Sequence, residues 1–207
     1  MKIERRDLCG EGVKVETRED GKRVITGYAS VFFNPNKRAE TEYKLWGDTV
    51  ERIAPTAFTR ALKEKHDVRA LFNHDANQLL GRSSAETLRL STDARGLKYE
   101  IDLPDTQIGR DLAVSIERGD INGSSFAFYV TGRTIEEMDK LTIRTITDVT
   151  LQDVGPVTYP AYSGTTAGMR SVDDSAMDSV RDEIEGFRKT ELLSQYRKHT
   201  LDIQAVM

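Results

Sequence analysis

Arg23-Val24-Ile25-Thr26-Gly27-Tyr28-Ala29-Ser30-Val31-Phe32-Phe33 is the stretch on which the fold turns. β-Formers occupy its odd and even positions alike, the pattern of a strand covered on both faces, central in a sheet or part of a closed one. Just upstream, residues 13–19 alternate apolar and polar side chains and run into Asp20-Gly21, a turn signal. Just downstream, Asn34-Pro35-Asn36 breaks the strand.

Further out, β-patterns recur at 68–74, 86–91, 97–103, 124–132 and 141–158, with a turn at 93–96 and a charged connection at 136–140. Two helical patterns interrupt them. Residues 55–65 place Pro55 in a first turn and Phe58, Ala61 and Leu62 on one face. Pro104-Asp105-Thr106 opens the second, which carries Ile108, Leu112 and Ile116 at i, i+4, i+8 and stops near Gly119. Residues 163–175 are small and polar, as in a linker. Beyond them, about 176–198 reads as an amphipathic helix with Val180, Ile184, Phe187 and Tyr196 near one stripe. That helix is either packed on the body or a partner, or a detachable tail. The expected organisation is a body over 1–162, a linker over 163–175 and a helical tail over 176–207.

Composition bounds the function. A chain of 207 residues suits one compact domain with a small appendage. Its 30 basic and 34 acidic residues give a net charge of -4, which argues against a general nucleic-acid binder. Cys9 is the single cysteine, so no internal disulfide is available, and no Cys/His cluster suggests structural zinc. Met1-Lys2-Ile3-Glu4-Arg5-Arg6 lacks the apolar run of a signal peptide, and nothing approaches the roughly 18 apolar residues of a membrane span. A soluble, intracellular protein without membrane or nucleic-acid partners is expected.

Three features could carry chemistry. On a period-two strand His74 shares a face with Val68, Ala70 and Phe72, where a histidine is either a satisfied core residue or a base. His66 and His199 read as exposed. In Gly123-Ser124-Ser125-Phe126-Ala127-Phe128, the phenylalanines and Val130 point to the core and Ser125 points away, on a strand rigid enough to mount a nucleophile. Asp153 falls by strand parity beside Val149 and Leu151, where a carboxylate needs a partner; Asp148 falls on the other face. A serine hydroxyl is a poor nucleophile without a base, imidazole suits that role near neutral pH, and a carboxylate fixes the imidazole tautomer. His74, Ser125 and Asp153 are thus a possible base, nucleophile and orienting acid.

Taken in order, several stretches resemble the prohead (capsid maturation) serine proteases of tailed bacteriophages, which share a fold with herpesvirus maturation proteases. They are Gly27-Tyr28-Ala29-Ser30-Val31-Phe32, Ala57-Phe58, Leu71-Phe72-Asn73-His74-Asp75, Leu80-Gly81, Gly96-Leu97, Gly119-Asp120-Ile121, Gly123 to Phe128, and Asp153-Val154 through Pro160-Ala161. The resemblance covers roughly residues 20–165. It implies a mixed α/β, β-rich protein: a small closed β-barrel surrounded by helices, with a helical tail at the C-terminus. It also implies a serine endopeptidase without cofactor or metal, acting in the assembling procapsid within the host bacterial cytoplasm. The implied partners are the major capsid protein and the scaffolding region, with cleavage of the enzyme itself and possible self-association. The family's histidine falls on His74, its serine on Ser125 and its acid on Asp153; Ser124 is the alternative nucleophile.

Two departures stand out: Thr56 where the family has a glycine, and Gly155-Pro156 where it often has a serine and an apolar residue. The second is expected to reshape the end of a strand and leaves the oxyanion donors unassigned, with backbone amides the default. Two other readings stay open. One is a non-enzymatic capsid assembly factor; the other is an esterase or amidase, though no Gly-x-Ser-x-Gly elbow is present.

Overall fold

In a computed structural model the described residues are 2–8, 12–160 and 174–206, with helix side chains described at 177–194 and 197. The linker expected at 163–175 therefore falls almost wholly outside them. The order is β1 (Glu4–Leu8), β2 (Lys14–Thr17), β3 (Arg23–Val31), α1 (Arg38–Thr41), β4 (Glu42–Trp46), β5 (Thr49–Ile53), α2 (Thr59–Lys63), β6 (Arg69–Leu71) and β7 (Leu79–Arg82). There follow β8 (Leu88–Thr92), β9 (Gly96–Asp102), α3 (Gln107–Glu117), β10 (Gly123–Met138), β11 (Leu141–Val157) and α4 (Asp174–Val206).

The strands pair as two sheets. The first runs β1-β10-β11-β5-β4, with β6 and β7 attached through the second half of β11; the other runs β2-β3-β9-β8. β3 is central in its sheet, as its two-faced pattern requires. One core cluster draws on both sheets and on the two shorter packed helices, with Ile25, Tyr99, Phe126, Phe128, Phe58 and Leu112 in it. Phe126 stacks on Phe128 at 4.6 Å and meets Phe58 edge-on at 5.6 Å.

Local chemistry explains most boundaries. Thr106 caps α3, its side chain accepting from the Gly109 N–H, and Gly119 follows the helix at φ 82°. β10 and β11 form one long hairpin, so the connection expected at 136–140 is mostly strand. Its turn is Asp139-Lys140, both at positive φ, the geometry of a two-residue hairpin. α2 is shorter than the pattern over 55–65, because Pro55 stands in turns that precede the helix.

Four strands, β1, β4, β5 and β7, were not expected from the sequence. β1 is Glu-Arg-Arg-Asp-Leu, yet Glu4, Arg6 and Asp7 are buried. The Arg6 guanidinium bonds Glu51 (2.6 and 2.9 Å) and Glu4 (2.8 Å), while Arg144 bonds Glu4 (3.0 Å) and Glu51 (2.5 Å). α4 docks through Met177, Val180 and Ile184, which bury against Leu45 with Trp46 and Ile135 alongside. Glu183 of that helix pairs with Arg133 and with Arg144, the latter at 3.2 Å. The first turns of α4 thus pack on the body. Among the described residues no helix is long and apolar enough to cross a membrane.

Candidate active site

Ser125 lies on β10 between β1 and β11, opposite Asp7 on one side and Gly155 on the other, and its side chain is fully buried. Its neighbour Ser124 points the other way: its hydroxyl shares a 2.8 Å hydrogen bond with the phenol of Tyr99, whose ionisation burial opposes. The two serines are therefore separated by the pleat.

Asp153 reaches the Ser125 side of the sheet through a bulge. Phe128 stands opposite Leu151 but Ala127 opposite Asp153, so Gln152 is the extra residue on β11. Directly opposed residues share a face, which puts Asp153 with Ala127 and Ser125 and leaves Val149, Leu151 and Val154 in the core. The parity expectation, which placed Asp153 beside Val149 and Leu151, is reversed by this one residue. Asp148 is not merely solvated: its carboxylate accepts from the Arg60 Nε at 2.9 Å and from the Thr131 hydroxyl at 2.5 Å.

His74 is not on a strand. β6 ends at Leu71, and Asn73 and His74 form a turn with φ of 55° and 57°. Asp75 shapes the remainder, its N–H donating to the Phe72 carbonyl and its carboxylate accepting from the Asn77 N–H. The turn is brought to β11 by parallel pairing of Arg69 with Asp153 and Ala70 with Val154. Gly155 allows this approach.

The result is a hydrogen-bonded series. His74 Nδ1 lies 2.5 Å from Asp153 Oδ1, and His74 Nε2 lies 2.6 Å from Ser125 Oγ. An ionised carboxylate only accepts, so the Nδ1 proton points at Asp153 and Nε2 is left to accept from the serine. A second acceptor stands near: the Arg6 carbonyl oxygen is 3.1 Å from Ser125 Oγ. The contact to Nε2 is the shorter of the two. The Arg6 contact escaped sequence reasoning because nothing in the charged β1 segment marks it as a strand.

The remaining histidines stand apart. His66 is half-buried rather than exposed, beside Arg60 and Glu64, with its Nδ1 facing the Leu151 N–H at 3.4 Å. The side chain of His199 lies outside the described residues. Among the described residues no group of His, Cys, Asp or Glu could hold a metal ion.

A hydroxyl, an imidazole and a carboxylate in series is an arrangement that can perform acyl transfer. It sits within the region covered by a family model: Caudovirus prohead serine protease matches residues 11–180, and the chain belongs to that family. The protein is accordingly a serine protease of the capsid-maturation class. Among solved structures it is similar to the bacteriophage T4 capsid assembly protease, gp21, at 14% identity and a TM-score of 0.47, covering 77% of this chain and 97% of that one. No curated protein matches the chain.

Proposed function

We propose that the protein is an endopeptidase that cuts the scaffolding region or the N-terminal segment of the major capsid protein, and itself, inside the procapsid in the host cytoplasm. Ser125 is the nucleophile, His74 the general base and then general acid, and Asp153 the residue that orients His74. The observation that carries this reading is the unbroken pair of hydrogen bonds, 2.6 Å from Ser125 to His74 and 2.5 Å from His74 to Asp153.

During attack the Ser125 hydroxyl loses its proton to Nε2 as the Oγ–carbon bond forms. The imidazolium is stabilised by Asp153 and returns the proton to the leaving amine. Water, activated by the same imidazole, then releases the acyl group. Backbone amides are the donors we assign to the oxyanion. No step requires a cofactor.

We also take the two sheets as halves of a closed barrel, since β3 lies against β1 and β10. The body over 1–162 is the protease domain, and the helix after the linker serves docking or is removed by self-cleavage. Confinement in a shell supplies a high local concentration of substrate, so slow turnover in dilute solution is compatible with the role.

The test is intact mass over time for wild type and Ser125→Ala, each with the cognate capsid and scaffolding proteins. Cuts made by the wild type alone are the expected result. Equal cutting by both removes Ser125 from the mechanism.

A further inference from the structure

The backbone that carries His74 is held in an unfavourable shape. Asn73 and His74 are consecutive residues at positive φ, 55° and 57°, a region that side-chain-bearing residues seldom occupy. Asparagine tolerates it best. A turn of this kind persists only where its surroundings over-determine it.

The determining contacts come from Asn73. Its N–H donates to the Pro156 carbonyl at 3.1 Å, its Nδ2 donates to the Thr158 hydroxyl at 3.0 Å, and its Oδ1 accepts from the Thr158 N–H at 2.8 Å. All three reach the end of β11, the strand that carries Asp153. The mounts of the base and of its orienting acid are thereby fastened together at a point adjacent to both.

These side-chain bonds are exposed to solvent, where a hydrogen bond adds little to stability because water replaces it. Geometry is where they count. The imidazole must meet two partners at once, at 2.5 and 2.6 Å, and a misplacement of about 1 Å at a reacting centre costs on the order of 100-fold in rate.

We propose that Asn73 is a positioning residue: its side chain clamps the His74 turn to the end of β11 and so sets the imidazole between Asp153 and Ser125. This rests on the assignment of His74 and Ser125 given above.

Glycine keeps the positive φ and loses both side-chain bonds, which makes Asn73→Gly the decisive variant. Aspartate keeps the acceptor for the Thr158 N–H, and its second oxygen can accept from the Thr158 hydroxyl in place of the lost donor. The probe is a fluorophosphonate, which forms a bond from Ser125 Oγ to phosphorus with loss of fluoride, the proton passing to His74. Its saturation kinetics separate the maximal labelling rate from the half-saturating concentration. The low-field proton resonance of the His74 Nδ1–H reports the contact to Asp153.

Asn73→Gly is expected to lower the maximal rate about 10- to 100-fold with little change in half-saturation, and to abolish the low-field resonance. Asn73→Asp is expected to retain much of both. Thr158→Val removes one bond from the other side of the clamp and is expected to lower the rate severalfold, which covers the case of Asn73→Gly failing to fold. Wild-type rate and resonance in Asn73→Gly, or in Thr158→Val where the glycine variant does not fold, overturn the proposal and leave the triad standing. Equal labelling of wild type and Ser125→Ala, by contrast, removes the nucleophile assignment and this inference with it.

Discussion

Gly155 faces the carbonyl oxygen of Leu71 so closely that a Cβ at position 155 would stand 2.0 Å from that oxygen. No side chain fits there, and backbone rather than a flexible side-chain end would have to yield. Gly155→Ala is therefore expected to push β6 off β11 and carry the His74 turn with it. Overpacking of this kind costs about 1–3 kcal/mol. Denaturant unfolding should show that loss, and peptide cleavage by the folded fraction should fall far more steeply.

The two adjacent serines should separate cleanly. Ser125→Ala is expected to lose on the order of 10⁴-fold or more in turnover with its thermal midpoint nearly unchanged. Ser124→Ala is expected to keep its turnover and lose about 1–3 kcal/mol of stability, because the buried Tyr99 hydroxyl is left without its partner. Parallel rate and unfolding measurements on both variants check this.

Acid should strike at the ion cluster behind the site. Burial alone would raise the carboxyl pKa of Glu51, but the Arg6 and Arg144 guanidiniums hold it below the ordinary value. A depressed folded pKa contributes stability that is present above the unfolded value, about 4.3, and is lost as pH falls through the folded one. Glu51→Gln is expected to be less stable at pH 7 and to show a shallower loss between about pH 5 and pH 3. Unfolding free energies across that range supply the comparison.

The same cluster makes a one-sided deletion costly. Arg6→Met leaves Glu51 and Glu4 with fewer cations in a buried site, a change expected to cost about 3–5 kcal/mol. The double variant Arg6→Met with Glu51→Leu should recover much of that loss. A double-mutant cycle in chemical denaturation measures the coupling.

Attachment of α4 can be tested by reversing one buried contact. Ile184 is buried against the body beside Met177, Val180 and Leu45. Ile184→Asp places a carboxylate in that contact and is expected to free the helix, read as faster amide exchange and tryptic cutting over 177–194. A helix that stays protected would mean that Met177, Val180 and the ion pairs of Glu183 with Arg144 and of Arg188 with Asp48 suffice to hold it.

Much of this architecture was legible from local patterns, and the failures have physical causes. β3, the β8–β9 pair and α3 announce themselves through apolar spacing, the Thr106 cap and the glycines after turns. β1 does not, because its burial rests on ion pairs with residues far along the chain. Strand parity failed twice at the site. His74 lies beyond the end of β6 in a turn that Asn73 and Asp75 form, and Gln152 is a bulge residue that no composition rule reveals. Parity and the resemblance to the family both led to Asp153, but parity put it on the opposite face from the one it occupies. Gly155, which departs from the family pattern, has its reason in the close approach of Leu71.

Every link of the Ser125 site spans a long stretch of chain: 51 residues from His74 to Ser125, 79 from His74 to Asp153, and 119 from Arg6 to Ser125. Contacts of such sequence separation form late, since loop closure must precede them. A growing chain that already holds His74 and Ser125 still lacks Asp153 until residue 153 has emerged from the ribosome. The three side chains can therefore meet only after nearly three quarters of the chain has been made, so the order of synthesis makes the arrangement a late event.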